Sequence, residues 1–336
     1  MVDLTFFSSP IGLGHATRDL AVVQYLNSRI KFVSGEGGTK LFSDYGFETQ
    51  NLYKPPNFEI QNGTLKNPLI WLFRYYSYYK KCKDISSDIL EKERPKLIVS
   101  DEDFASLTIA QEKKLKTVLI TDVLETNFAK GIGSFIEKKM NKSMKAIMKK
   151  CDIIILPEDG PDEDNIIRVG PIVRETPYSR EELRERFSFD RKTIVMSIGG
   201  TSAGQFLIEK TIQVFKKLNL DADMLIVSGP ALKISDQSIR NLGFVNNLHE
   251  IIYAADLIIS LAGKSTIDEA TSYGTPGIFI PIKGHFEQEA NAKKAGFSFE
   301  DLYRLESLIP SKINEKRDPK IGVGAQKAAK IIKKFL

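Results

Sequence analysis

Short apolar runs alternate along the chain with longer stretches in which apolar residues recur every three or four positions. The short runs predict strands that are buried on both faces, and the longer stretches predict helices with one apolar side. Their alternation predicts an α/β protein built from parallel sheets. The predicted strands are 3–9, 30–34, 96–100, 117–121, 152–156, 193–197, 224–228, 257–260 and 277–281.

The length of the chain and one polar segment predict two domains. A chain of 336 residues is long for a single hydrophobic core. The polar, acidic stretch 158–165 separates two sets of predicted strands, and we place the hinge just after it, at 170–174. The predicted domains are 1–165 and 166–322, followed by a final helix at 323–336 that returns to the first domain.

Composition narrows the class of protein. Hydrophobic residues make up 42% of the chain and charged residues 27%, which is typical of a globular protein, and no apolar run reaches the ~20 residues of a membrane span. No basic region precedes the apolar residues 4–7, so we expect no signal peptide and a cytoplasmic protein. Cys82 and Cys151 lack metal-ligand spacing and are expected to be buried thiols.

Positive charge is concentrated in one part of the chain. Residues 60–150 contain 18 Lys or Arg and 11 Asp or Glu, while the whole chain has a net charge of +5. Aromatic residues lie among cations at 71–81, and the predicted helix 134–150 combines one apolar face with many lysines. This pattern fits a basic surface for an anionic membrane or nucleic acid. Two ordinarily packed helices with solvated lysines fit it equally.

The turn after the first strand carries the first candidate site. Gly12, Gly14 and Thr17 form an incomplete Gly-x-Gly-x-x-Gly motif, and the second strand ends near Glu36, where a dinucleotide site would bind a ribose. A dehydrogenase therefore remains an alternative at this point. His15 follows the second glycine directly, however, and a hydride-transfer site does not need a histidine there.

The strand 96–100 leads into Asp101, Glu102 and Asp103. In a doubly wound sheet of order 3-2-1-4-5-6 the first and fourth strands are neighbours, so the turns that carry His15 and Asp101 should face one another. A histidine with an ordinary pKa of ~6.5, oriented by an aspartate, suits a general base near neutral pH. We predict His15 as the base and Asp101 as its orienting partner.

Two glycine turns follow strands of the second domain. The first contains Gly199, Gly200, Thr201 and Ser202, and the second contains Gly263, Lys264, Ser265 and Thr266. Unpaired backbone N–H groups and the positive end of a helix dipole attract anions, which makes each turn a candidate phosphate site. Glu269 lies about one and a half turns into the second helix, where it can accept hydrogen bonds from a ribose.

These residues resemble a known family. Gly263, Ser265, Thr266 and Glu269, followed by Gly274, Pro276, Pro281, Gln288, Asn291 and Ala292, match the MurG-like glycosyltransferases of family 28, which have the GT-B fold of two Rossmann-like domains around a cleft. The turn at 12–15, the segment 170–174, the turn at 199–204 and the segment 243–247 also resemble motifs of that family. The resemblance implies that Phe244 and Val245 contact uracil and that His285, Glu287 and Gln288 bind the donor sugar, beside the two phosphate turns.

The resemblance implies a reaction as well. We expect a hexose or N-acetylhexosamine to move from a UDP-sugar to a hydroxyl acceptor, which is lipid-linked, with inversion. The first domain would bind the acceptor through Gly12, Gly14, Arg18 and Asp103. We expect no cofactor and no required metal, because helix termini supply the positive charge. The expected partners are a nucleotide sugar, the acceptor and an anionic membrane surface at the inner face of the membrane, without nucleic acid.

Two other functions stay open. A sugar-nucleotide epimerase or hydrolase on the same fold would need no acceptor and would carry further catalytic acids. A noncatalytic module would use the basic aromatic surface to bind a membrane or nucleic acid, and it would bind in a salt-dependent way without nucleotide sugars.

Overall fold

The computed structural model describes residues 2–127, 133–199, 202–228 and 239–336. The chain forms two compact units. One consists of Met1–Phe58, Asn67–Val173 and Gly322–Leu336, and the other of Glu59–Lys66 and Arg174–Ile321. These ranges differ from the predicted division in two short segments: Glu59–Lys66 folds with the second unit, and residues 166–173 fold with the first.

The elements up to residue 173 alternate between strands and helices, as the apolar pattern predicts. In chain order they are β1 (Leu4–Ser8), α1 (Gly14–Val23), β2 (Ile30–Ser34), α2 (Glu36–Asp44), β3 (Glu48–Asn51), β4 (Glu59–Gln61), β5 (Thr64–Lys66), α3 (Pro68–Glu93), β6 (Leu97–Asp101), α4 (Phe104–Glu112), β7 (Lys116–Ile120), α5 (Gly133–Met148), β8 (Ile153–Leu156) and β9 (Ile166–Arg168).

The first unit is built on a parallel sheet of seven strands in the order β3-β2-β1-β6-β7-β8-β9. Counted within this sheet, the first six strands have the predicted order 3-2-1-4-5-6. The sequence predicted β8 as the last strand of this sheet. The sheet contains one further strand, β9, which was not predicted from the sequence. All five residues of β1 and of β6 are buried, which explains why both sequences are mainly apolar.

The second unit contains the remaining elements except the last helix. They are α6 (Arg180–Phe187), β10 (Lys192–Ser197), α7 (Gln205–Leu218), β11 (Ala222–Val227), β12 (Arg240–Gly243), α8 (Leu248–Ala254), β13 (Leu257–Leu261), α9 (Lys264–Tyr273), β14 (Gly277–Ile280), α10 (Phe286–Lys294) and α11 (Leu305–Lys312), with short 3₁₀ turns at Ser202–Gly204 and Phe299–Arg304. The last helix, α12 (Gly324–Lys333), belongs to the first unit and packs against α1.

The sheet of the second unit is also parallel, with the order β12-β11-β10-β13-β14. Its two faces bury separate apolar clusters. Ile194 and Met196 of β10 point into one cluster, while Val195 between them points into the other. This alternation follows from the two-residue period of a strand, and helices cover both faces. The predicted α/β fold of two doubly wound sheets is confirmed.

The antiparallel hairpin β4–β5 completes the second unit. The N–H of Leu65 donates to the carbonyl of Lys283 at 2.8 Å, and the N–H of Lys283 donates to the carbonyl of Gly63, also at 2.8 Å. Ile60 and Leu65 pack against the apolar cluster of that unit. These contacts span more than two hundred residues of sequence, so local patterning contains no sign of them.

In the two basic helices, α3 and α5, the pattern of buried and exposed side chains differs from the one that the sequence suggested. The first half of α3 exposes Ile70, Phe73 and Tyr76, and its second half is buried at Ile89 and Leu90. In α5 the fully buried side chains include Glu137 and Asn141, and the amide of Asn141 bonds to Thr126. The predicted apolar face of α5 (Ile136, Met140, Met144 and Ile147) is half-buried or exposed, because polar contacts anchor the helix on a neighbouring side.

Candidate functional site

The candidate site of the first unit lies where β1 and β6 end. These strands are adjacent, and Ser8 of β1 is the Cα partner of Asp101 of β6. The chain leaves β1 through the turn that contains Gly12 and enters α1 at Gly14, so His15 lies in the first turn of the helix. Its Nδ1 atom is 2.8 Å from Oδ1 of Asp101. The predicted His15–Asp101 pair is therefore present, while its catalytic role stays a prediction.

Arg18 holds the same carboxylate. Its Nε donates to Oδ2 of Asp101 at 2.8 Å, and its Nη2 donates to Oδ1 at 2.5 Å. Burial on its own raises the pKa of Asp101, but the charges of Arg18 and His15 outweigh burial and lower it. Asp101 is consequently a fixed, ionised group that both neighbours on α1 engage.

The pair changes the protonation of His15. Burial on its own lowers the pKa of the imidazole, but the charge of Asp101 and the hydrogen bond to it outweigh burial and raise the pKa to about 9. The sequence suggested the ordinary histidine value, near neutrality. His15 is instead an imidazolium at pH 7, with Nδ1–H donating to Asp101.

Glu102 completes this cluster, although the sequence singled out its neighbours instead. Its Oε1 accepts hydrogen bonds from Oγ1 of Thr121 at 2.9 Å and from the N–H of Asp122 at 3.1 Å. Its Oε2 lies 3.9 Å from Nε2 of His15, the ring nitrogen that Asp101 does not bind. Burial, followed by the charge of Asp122, raises the pKa of Glu102 well above its usual range.

Among the described residues, His15, Asp101 and Glu102 lie close enough together to hold a metal ion. One ligand atom from each of His15, Asp101 and Glu102 lies within 4.8 Å of the others. The guanidinium of Arg18, however, already donates to both oxygens of Asp101 and supplies a positive charge at that point. These three side chains therefore suit a protein cation better than a metal ion. That the reaction requires no metal stays a prediction.

Of the four residues predicted to bind the acceptor, two are glycines at the start of α1 and two are buried, hydrogen-bonded side chains. Gly12 lies in the turn before α1, and Gly14 is the first residue of α1. Arg18 is buried against Asp101, and Asp103 is buried at the start of α4, where it accepts from the Tyr53 hydroxyl at 2.7 Å and from two backbone N–H groups. Arg18 and Asp103 are thus engaged by protein groups, and contact with an acceptor remains a prediction for all four.

The candidate site of the second unit lies where β10 and β13 end. These strands are adjacent, with Ser197 and Ser260 as Cα partners, and the chain order reverses between them. Ligands of open α/β sheets bind at this reversal. Gly199, with φ +74°, follows β10, and Gly263 caps α9 after β13, with no atom within 4 Å of the position that a Cβ would occupy. Both turns can therefore approach an anion with their backbone.

The two glycine turns of the second unit lead into helical segments. Gly200 and Thr201 lie outside the described residues, and Ser202 begins the 3₁₀ turn Ser202–Gly204. In the second turn, Lys264, Ser265 and Thr266 form the first turn of α9. The ammonium of Lys264 donates to Asp268 one turn later, so the extra charge suggested by the sequence is already paired.

Glu269 is buried in an ion pair that the sequence did not reveal. Its Oε1 accepts from Nε of Arg174 at 3.3 Å and from Nη2 at 3.2 Å, and both side chains are 5% exposed. Nη1 of Arg174 donates to the carbonyl of Asn246 at 2.6 Å. Burial raises the pKa of Glu269, and the charge of Arg174 opposes this increase. Arg174 thus joins α9 to the segment that contains Phe244 and Val245.

The remaining donor residues lie at the start of α10 and before α8. Phe244 and Val245 follow β12, and Val245 packs on an apolar cluster. His285 caps α10 by accepting from the N–H of Gln288, and burial lowers its pKa to about 4, so it is neutral at pH 7. Oε1 of Gln288 accepts from the N–H of Ile282 at 3.0 Å, and Glu287 lies in the first turn of α10.

Comparisons with known proteins indicate a glycosyltransferase. Residues 194–320 match the glycosyltransferase family 28 C-terminal domain. An uncharacterized glycosyltransferase of Methanopyrus kandleri is 24% identical over 96% of this chain and 98% of that protein. A UDP-N-acetylglucosamine--N-acetylmuramyl-(pentapeptide) pyrophosphoryl-undecaprenol N-acetylglucosamine transferase of Caldicellulosiruptor saccharolyticus is 24% identical over 83% of this chain and 78% of that protein.

Solved structures show the same fold. The glycotransferase of kitacinnamycin superposes with a TM-score of 0.68 at 12% identity, over 100% of this chain and 99% of that one. MurG of Acinetobacter baumannii superposes with a TM-score of 0.59 at 15% identity, over 99% of this chain and 100% of that one. The domain match over residues 194–320 and the MurG-like relatives support a MurG-like glycosyltransferase of family 28, and the two parallel sheets have the GT-B fold of the solved neighbours.

Proposed function

We propose that the protein transfers a hexose or N-acetylhexosamine from a UDP-sugar to a hydroxyl of a lipid-linked acceptor, with inversion at the anomeric carbon. The observation that carries this proposal is the turn at Gly263, which directs the first N–H groups of α9 to the end of β13 and leaves space for a phosphate. The names of several relatives supply the choice of UDP-N-acetylglucosamine as donor and of a pyrophosphoryl lipid as acceptor.

On the donor side, the protein has to stabilise the departing diphosphate. The turns at Gly199 and Gly263 would do so with backbone N–H groups and the positive helix end, without a metal ion. Phe244 and Val245 would contact the uracil, and His285, Glu287 and Gln288 the sugar. Glu269 would accept from the ribose through Oε2, because Oε1 is engaged by Arg174.

On the acceptor side, a group must take the proton of the attacking hydroxyl. In the proposed reaction the hydroxyl oxygen forms a bond to the anomeric carbon, the bond from that carbon to the diphosphate breaks, and the hydroxyl proton passes to Nε2 of neutral His15. Asp101 would orient the ring through Nδ1. With a pKa of about 9, only about 1% of His15 is neutral at pH 7. His15 is consequently well placed but mostly charged at that pH.

Nucleotide binding tests the donor. UDP and UDP-N-acetylglucosamine should raise the melting temperature, because a ligand that binds only the native state stabilises it by about 2.7 kcal/mol at one hundred times its Kd. For units of this size we expect a shift of several degrees by thermal-shift assay. ADP and GDP-mannose, which share the diphosphate but not the uracil, serve as controls.

Two results would count against the proposed donor or reaction. Equal shifts with all four compounds, or none with the two uracil nucleotides, would refute a UDP-sugar site. UDP release at the same rate with and without a prenyl-pyrophosphoryl sugar would instead favour the hydrolase or epimerase.

An exposed apolar and basic surface supports the lipid-linked acceptor. Ile70, Phe73 and Tyr76 of α3 are 48%, 62% and 60% exposed; Arg74 lies among them in the sequence, and Lys80 follows one turn after Tyr76. Phe135, at the start of α5, is 74% exposed. Among the described helices, none combines the length and the apolarity that a membrane crossing requires. Apolar side chains surrounded by cations suit the headgroup region of an anionic bilayer.

Sedimentation with liposomes tests this surface. The protein should sediment with anionic phosphatidylglycerol liposomes, remain in solution with phosphatidylcholine liposomes, and be released by 0.5 M salt. Phe73→Ser should weaken sedimentation several-fold, whereas the matched change Tyr45→Ser, at an exposed aromatic residue on α2's C-terminal side, should not. Equal partition of the wild type to both kinds of liposome would show that α3 and α5 are ordinary surface helices.

A further inference from the structure

Glu102 has a backbone conformation that side chains rarely adopt. Its φ is +56°, in the left-handed region, although it is not glycine. Such conformations cost of order 1–3 kcal/mol and concentrate at functional sites. The strained residue comes directly after β6, beside Asp101, and its side chain turns back toward α1, where Oε2 lies 3.9 Å from His15 Nε2. An observed outlier of this kind warrants a functional explanation.

The two oxygens of Glu102 have different environments. Oε1 is held by the Thr121 hydroxyl and the Asp122 N–H, which fix the plane of the carboxylate. Oε2 faces Nε2 of His15 across a gap that is too long for a direct hydrogen bond. The side chain of Glu102 is 17% exposed and that of His15 is 15% exposed, so both can be reached from outside. One donor and one acceptor thus face each other across the gap, on side chains that are both partly exposed.

This gap fits a hydroxyl group. An oxygen about 2.8 Å from both Nε2 and Oε2 spans 3.9 Å with an angle of about 90° at the oxygen. The imidazolium Nε2–H would donate to that oxygen, and the hydroxyl proton would point to Oε2. The hydroxyl would be oriented and polarised by two groups whose positions are held by Asp101, Thr121 and the backbone of Asp122.

We propose that Glu102 is a further catalytic residue, whose Oε2 takes the proton of the acceptor hydroxyl while His15 donates to the oxygen of the same hydroxyl. This inference rests on the proposed sugar transfer and deepens it by assigning the hydroxyl proton to Glu102 instead of His15. The oxygen forms its bond to the anomeric carbon, the bond to the diphosphate breaks, and the proton stays on Glu102 until it leaves to solvent. His15 keeps its own proton throughout, and Glu102 reacts in its ionised form, which the charges of His15 and Arg18 favour.

The surroundings of Glu102 make it a stronger base than an exposed glutamate. Burial and the carboxylate of Asp122 favour its protonated form, while His15 and Arg18 favour its ionised form. Nη2 of Arg18 is 3.9 Å from Oε1. The charged and titratable groups that face Glu102 are His15 and Arg18 from α1, Asp101 from β6, Asp122 after β7 and Tyr75 from α3.

The test uses Glu102→Gln in the full chain, because the amide oxygen can still accept from Thr121 and Asp122 while the second position loses its basicity. With UDP-N-acetylglucosamine and a prenyl-pyrophosphoryl sugar, turnover at pH 7 should fall about 10²–10⁴-fold. Donor affinity and melting temperature should stay unchanged. Glu125→Gln, an exposed glutamate paired with Lys145, is the matched control and should keep full turnover.

The pH profile distinguishes a base from a merely structural residue. In Glu102→Gln only neutral His15 remains to take the proton, so turnover should rise about tenfold per pH unit from pH 7 and level off below pH 9, because Glu102 no longer raises the pKa of His15. The wild-type profile should differ, because it follows the ionisation of Glu102 and not that of His15. Wild-type turnover at pH 7 in Glu102→Gln, or the same steep profile in both proteins, overturns the proposal.

Failure of the proposed function has a different result. It would appear as a wild type that neither transfers sugar from UDP-N-acetylglucosamine nor is stabilised by UDP. In that case an NMR titration still reports on Glu102, because the chain has three histidines and the imidazole of His15 is therefore simple to assign. A pKa of His15 that is the same in wild type and Glu102→Gln would show that the two groups do not interact, and would refute the shared site.

Discussion

His15→Ala should lower turnover about 10²–10⁴-fold while leaving nucleotide affinity nearly unchanged. The substitution removes the group that faces the acceptor hydroxyl, whether the ring accepts a proton or donates to the oxygen. The proposed donor residues belong to the second unit, so their binding energy should not change. Turnover at saturating donor and acceptor, together with calorimetric titration of UDP, measures both quantities.

Asp101→Asn is the companion to that variant. The asparagine can still accept from Nδ1 of His15, so a residue that only orients the ring should lose less turnover than His15→Ala does. Asp101 is also bound by Arg18, which keeps the asparagine in place. Full turnover in His15→Ala together with loss of turnover in Asp101→Asn would reverse the roles and make the carboxylate the base.

The same ion pair should affect stability in a defined pH range. Because the folded-state pKa of His15, about 9, lies above its unfolded value of ~6.5, the pair stabilises the fold fully below pH 6.5. That contribution is lost as the pH rises through 9. The difference in unfolding free energy between wild type and His15→Ala should therefore be largest below pH 6.5 and shrink toward pH 9. A constant difference from pH 6 to pH 9 would contradict the pairing with Asp101.

Glu269→Ala should have a large effect on stability in addition to its effect on UDP binding. From the sequence alone, the substitution removes one hydrogen bond to a ribose, worth about 1.5–3 kcal/mol of binding. In the structure it also leaves the buried guanidinium of Arg174 without its carboxylate. Breaking a buried ion pair by removing one partner costs about 3–5 kcal/mol. Urea unfolding followed by circular dichroism should show a loss of this size.

Two further variants separate the ion pair from other effects of the substitution. Glu269→Gln keeps an oxygen for Arg174 and should destabilise less than Glu269→Ala. Glu306→Ala removes a glutamate that is paired with Lys217 at the surface, where both side chains are at least half exposed, and should change stability by less than about 1 kcal/mol. If Glu269→Ala unfolds at the same urea concentration as Glu306→Ala, Arg174 does not depend on Glu269.

Much of the fold could be predicted from local patterns because both sheets are parallel. Strands covered on both faces are mainly apolar, which makes β1, β6 and β13 visible in the sequence. Once the strand order was assumed, the meeting of His15 with Asp101 followed from chain geometry, since adjacent strands end at the same edge. The same reasoning brings the turns at Gly199 and Gly263 to one edge of the second sheet, because they follow the adjacent strands β10 and β13.

Other features could not be predicted because they depend on contacts between distant residues. The sequence contains no sign that the hairpin at 59–66 pairs with Lys283, or that Arg174 meets Glu269. The pKa of His15 was also beyond reach, since it depends on how burial, Asp101 and Arg18 balance at short distance. By itself the sequence determined which elements form and which turns carry polar residues. The tertiary structure alone decided which charges are paired, because burial and distance set the strength of each electrostatic interaction.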